Sequence, residues 1–126
     1  MNVFRDEVAH KGFTWERLGD IRAGRGELGE EMPVLVYRLM QYTMLDVLSA
    51  AYGLERANGH FRDAGYVAGT EFAKNTLDLQ AEFGAFLAEL QQALKSLKIG
   101  ILRMEAFDPD TGEIVLTVGE DLDCSG

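Results

Sequence analysis

The apolar positions change their period along the chain, and the changes mark out its elements. Residues 1–32 are polar, with glycines at 12, 19, 24, 26 and 29 and no sustained repeat. Phe13-Thr14-Trp15 reads as a short strand or an aromatic-anchored flap, and Gly19 to Pro33 as a connecting loop. From Pro33, suited to a first helical turn, a helix is predicted over Val34–Tyr52, closed by Gly53. It carries two apolar stripes. One holds Val34, Tyr37, Leu45, Leu48 and Tyr52; the other holds Val36, Met40, Met44, Val47 and Ala51. Only Arg38 and Asp46 are charged, so this helix needs a core on one side and another subunit or a cavity on the other.

A second helix is predicted from Leu54 to about Leu77, with Leu54, Ala57, Phe61, Ala64, Ala68 and Phe72 on one face. Gly59, Gly65 and Gly69 each cost about 1 kcal/mol of helix propensity, which suggests that space along this helix matters for packing or for a ligand. The third helix, Glu82–Lys98, is amphipathic, with Phe83, Phe86, Leu87, Leu90, Leu94 and Leu97 inward. The period then falls to two. Ile99–Phe107 and Glu113–Gly119 read as strands joined by a turn at Asp108–Gly112. The expected fold class is α+β: three main helices packed on an antiparallel sheet. The chain reads as one domain over 1–126, with a loop-rich segment 1–32, a helical part 33–98, and a hairpin with an acidic tail over 99–126.

Charge narrows the function classes. Of 126 residues 26% are charged, and 12 Lys and Arg against 21 Asp and Glu give a net charge of −9. Residues 1–63 carry 8 basic and 10 acidic side chains; residues 64–126 carry 4 and 11. From Met104 onward there are seven acids and no Lys or Arg. This balance argues against a nucleic-acid partner and against an anionic membrane surface. No apolar run reaches the ~20 residues of a membrane span, and the first residues show no secretory pattern. With one cysteine and no disulfide framework possible, the expected compartment is cytoplasmic.

The usual catalytic signatures do not appear. The IRAGRGELG segment lacks the Lys-Ser/Thr and the leading strand of a phosphate loop. Asp108-Pro-Asp-Thr-Gly-Glu lacks calcium-loop spacing and reads as a hairpin turn. His10 and His60 stand fifty residues apart with no ligand partner at helical spacing. Cys124 sits among Asp121, Asp123 and Ser125, which disfavours a thiolate nucleophile. The aromatic and Met supply of the helices serves a core first. It also suits an apolar pocket, for which Tyr37, Met40, Met44, Phe61, Tyr66, Phe72, Phe83 and Phe86 are the candidate ligand-binding residues.

A resemblance adds to this reading. The segments PVLVYRLMQYTMLDVLSAAYG, FRDAGYVAGTEFAKN, FGAFLAELQQALKSLKIGILRMEAFD and EIVLTVGEDLDCSG, in that order, resemble the 4-vinyl reductase domain family, or hydrocarbon-binding proteins. The similarity runs from about Leu18 to Gly126. It implies a fold related to Golgi-transport TRAPP subunits and nitric-oxide sensor domains, a homodimer, and an apolar cavity. Relatives serve as small-molecule sensor domains and as an accessory protein of tetrapyrrole vinyl reduction. Family chains continue past the Cys-Ser-Gly segment with further cysteines that help hold zinc. Under the resemblance Cys124 falls at the place of one such zinc ligand. With no other cysteine in the sequence, either the domain is cut at its C-terminal end, the favoured expectation because the hairpin lacks its remaining sheet, or this form lacks the metal.

Three functions follow as expectations. The first is a non-catalytic domain binding or sensing an apolar or aromatic small molecule between helices and sheet. The second is a dimerising interaction module with no ligand. The third is an accessory role in tetrapyrrole vinyl reduction, for which no catalytic residue set is evident.

Overall fold

A computed structural model of the chain describes residues 12–126; the first residues, His10 among them, lie outside it. The fold is α+β. It comprises a 3-10 turn at Trp15–Leu18, helices α1 (Ile21–Gly24), α2 (Val34–Tyr52), α3 (Leu54–Thr76) and α4 (Phe83–Ser96), and strands β1 (Ile101–Phe107) and β2 (Ile114–Gly119). The chain divides between Thr76 and Leu77 into two compact units. Among the described residues, no helix is long and apolar enough to cross a membrane.

The segment before α2 differs from the sequence expectation. Trp15 begins a 3-10 turn where a strand or flap was predicted, and α1 interrupts the loop. Asp20 supplies the reason for α1: its Oδ1 accepts a hydrogen bond from the Ala23 N–H at 3.1 Å, an N-cap with no apolar partner needed. The arginines of this segment are spent locally. Arg22 pairs with Glu30 at 3.1 Å, and Arg25 Nε donates to the Gly29 carbonyl at 2.5 Å.

α2 and α3 are separated by Gly53 alone. Its φ of 88° and ψ of 153° lie where only glycine is comfortable, and its N–H closes α2 on the Ser49 carbonyl at 2.8 Å. The two helices pack on each other. Ala57, one turn into α3, is fully buried, which places the tightest packing near the Gly53 corner. α3 runs unbroken through Asn58-Gly59. It ends where Asn75 Nδ2 and Thr76 Oγ1 bond back to the carbonyls of Glu71 and Phe72, at 2.7 and 2.6 Å.

In residues 77–126, α4 packs on β1. Asp78 leads in, its N–H held by Glu89 Oε1 of α4 at 2.6 Å. α4 leaves through Lys98, whose φ of 62° is a left-handed position filled without glycine. The strands pair antiparallel, Leu102 against Val118 and Met104 against Leu116, with a bulge at Glu105. The extra residue has a purpose. Accommodated in a regular ladder, Glu105 would leave Phe107 pointing away from Leu102 and Met104; accommodated as a bulge, it lets Phe107 pair with Ile114 on the same face as Leu116 and Val118. The opposite face carries Arg103, Glu105 and Thr117, with Thr117 Oγ1 donating to Glu105 Oε1 at 2.8 Å. Leu87 of α4 and Leu102 of β1 are the buried side chains of this small core.

The turn between the strands is the predicted hairpin turn. Gly112 has φ 75° and donates to the Asp108 carbonyl at 2.8 Å, while Asp108 Oδ1 accepts from the Asp110 N–H at 2.9 Å. These bonds use the loop's polar groups to hold the turn.

Candidate functional site

The two stripes of α2 take different environments. Tyr37, Leu45 and Leu48 of the first stripe are half-buried, while its end residues Val34 and Tyr52 are 42% and 54% exposed. The second stripe is exposed along its whole length: Val36, Met40, Met44, Val47 and Ala51 all face outward. Beside it, Leu35 and Leu39 are 73% and 61% exposed. A helix normally turns its polar face to water; α2 turns apolar side chains outward on most of its circumference.

The candidate ligand residues are not gathered into one site. Met40 and Met44 are 58% and 49% exposed on the outward stripe, while Tyr37, three residues before Met40, is half-buried. Phe61, Tyr66 and Phe72 of α3 are half-buried, Phe61 and Phe72 on one face of that helix and Tyr66 on another. Phe83 and Phe86 belong to the unit beginning at Leu77, where Phe83 stacks on Phe107 with ring centroids 5.8 Å apart. The glycines of α3 likewise make no close approach. A Cβ at Gly59, Gly65 or Gly69 would meet nothing within 4 Å, so these positions are open space.

A groove missed by sequence reasoning lies at the α2–α3 corner. It is open to solvent, encloses about 780 Å³, and is lined by Tyr52, Leu54, Arg56, His60, Arg62 and Asp63 with their neighbours. Tyr52 and His60 meet edge to face, centroids 5.9 Å apart and planes at 80°. The lining holds no Ser, Thr or Cys, so no alcohol or thiol nucleophile of those types stands beside His60. Tyr52 and His60 are eight residues apart across a one-residue connection, a spacing that no helical periodicity reveals.

Cys124 has a local role that its sequence neighbourhood only hinted at. Its Sγ donates to Asp121 Oδ2 at 3.0 Å, and the other oxygen of Asp121 accepts from the Asp123 N–H at 3.0 Å. The Asp121 N–H in turn donates to Ser125 Oγ at 2.7 Å. The Asp-Leu-Asp-Cys-Ser segment thus closes a turn around Asp121. Among the described residues, no three of His, Cys, Asp and Glu come together as metal ligands. One thiol and one carboxylate do not make the four-ligand set of a structural zinc, so the donors present do not fit that ion.

No protein-family model, no curated protein and no solved structure matches the chain.

Proposed function

We propose that the protein is a non-catalytic interaction module that works as a homodimer through α2. The outward stripe of α2 carries this reading: an almost uncharged helix presents Val36, Met40, Met44 and Val47 to solvent, with Leu35 and Leu39 alongside. Leu39, Met40, Met44 and Val47, which share one side of the helix, are 49–65% exposed. Side chains of their size then offer roughly 400 Å² of apolar surface, about half of the ~800 Å² that each partner contributes to a stable complex. The second stripe has no charge of its own, so an identical copy meets it without repulsion, as a two-fold interface requires. Sedimentation of the wild type and of Met40→Glu tests the reading: the wild type should be dimeric and the variant monomeric with its helix content retained.

A second reading is favoured by what that stripe is made of. Met40 and Met44 are adaptable side chains on an otherwise aliphatic stripe, a composition suited to holding an apolar or aromatic small molecule between paired helices. The resemblance to hydrocarbon-binding proteins and their sensor relatives points the same way. Native mass spectrometry of the dimer, with phenolics and fatty acids added, separates the two. Saturable adducts lost with Met40→Ala and Met44→Ala support a ligand; a bare dimer supports the interaction module alone.

A further inference from the structure

We propose that the outer edge of β2 is a docking site for an extended peptide whose apolar centre is bracketed by Lys or Arg, added to the hairpin as a third strand. The two edges of the hairpin are built differently. The β1 edge is protected: Gln91 Nε2 of α4 donates to the Leu102 carbonyl at 3.0 Å, and the strand carries Arg103 and a bulge at Glu105. β2 has none of these devices. Ile-Val-Leu-Thr-Val contains no charge, no proline and no inserted residue, and every one of these positions is exposed. Among the described residues β2 pairs only with β1, and a two-stranded sheet is marginal in water.

The side chains beside that edge extend the argument. Ile114, Leu116 and Val118 lie on the apolar face, continuous with Met104 and Phe107. Alternate apolar residues of an added strand would lengthen this face, while backbone hydrogen bonds supply the register.

Charge selects the partner. Asp108, Asp110 and Glu113 stand at one end of β2, Glu120, Asp121 and Asp123 at the other, and no Lys or Arg follows Arg103. A second copy's β2 is therefore a poor occupant. Antiparallel pairing about the strand centre would set Glu113 opposite the copy's own Glu120 at both ends, and like charges directly opposite are destabilising. A strand with cations at its ends meets complementary charge at both.

Fluorescence anisotropy with the full chain tests this, using a dye-labelled peptide of alternating Val and Thr with a Lys pair at each end. The Lys-ended peptide should bind at least about fivefold more tightly than the same peptide with Glu pairs, and the preference should shrink as salt rises. A central proline in the Lys-ended peptide should abolish binding, because it removes a ladder donor. Glu113→Lys with Glu120→Lys, both outside the strand, should erase or reverse the preference. Binding should persist in Met40→Glu, which separates this site from α2 pairing. Equal binding of the Lys-ended, Glu-ended and proline peptides would overturn the proposal, as would no binding by any of them or loss of binding in Met40→Glu.

Discussion

The ring of Phe83, in the first turn of α4, stacks on Phe107, at the last position of β1, with centroids 5.8 Å apart and planes 19° apart. The contact closes the helix-on-hairpin unit at the end farthest along the chain from the Leu97–Gly100 connection. It exists because the bulge at Glu105 turns Phe107 onto the helix-bearing face. A double-mutant cycle with Phe83→Ala and Phe107→Ala should therefore give a coupling of about 0.5–1.5 kcal/mol. Urea denaturation followed by circular dichroism measures it. Additive losses would mean that the rings contribute separately.

Deleting Glu105 is a sharper test of the bulge. Without the extra residue the ladder becomes regular, Ala106 still faces Val115 and Phe107 still faces Ile114, so the stack on Phe83 is kept. Phe107→Ala should therefore cost about as much in the deletion variant as in the wild type, and a substitution that costs little there would contradict the register.

The glycines predict opposite signs within one unit. Gly53 sits at φ 88° and ψ 153°, so Gly53→Ala should destabilise by about 1–3 kcal/mol. Gly65 and Gly69 lie inside α3 with open space where a Cβ would go. Alanine at each should stabilise by up to about 1 kcal/mol through helix propensity. Lys98, left-handed at φ 62°, should gain about 0.5–1 kcal/mol on replacement by glycine. Thermal and urea melts of the four variants check all of these; a loss at Gly65 or Gly69 would reveal a close neighbour at that position.

Gly100 tests the junction of α4 and β1. It is buried, and an added Cβ would fall 2.6 Å from Val118 Cγ1 and 3.3 Å from the Gly119 carbonyl oxygen. Gly100→Ala should cost about 1–3 kcal/mol, since the strand backbone must move to admit it. Val118→Ala should recover part of that loss by removing the nearest methyl.

Most of this fold was legible in the sequence, and the reasons differ by element. α2 and the hairpin announced themselves because their periods are long and their ends are marked, by Pro33 and Gly53 and by the Asp108–Gly112 turn. The outward face of α2 was legible for the same reason: a helix with two apolar stripes has one more than a single packing partner covers. The division at Thr76 was not, because no proline or glycine marks it and Leu77 continues the apolar rhythm. The α3 glycines were read as making space for packing or for a ligand, and no packed neighbour lies within 4 Å of a Cβ built at any of them; glycine records a permitted contact, never a made one. The bulge was invisible, since Leu102, Met104 and Phe107 keep alternation only after an extra residue is counted. The candidate ligand residues were chosen by type, and type does not say which stripe turns inward.

The central claim is that a second copy of the chain covers the outward stripe of α2. Sedimentation equilibrium of the wild type and of Met40→Glu tests it most directly. The account predicts twice the 14.0 kDa chain mass for the wild type, and a variant that dimerises at least about a hundredfold more weakly at unchanged helix content. A wild type that sediments as a monomer at tens of micromolar, or a dimer indifferent to Met40→Glu, would contradict it.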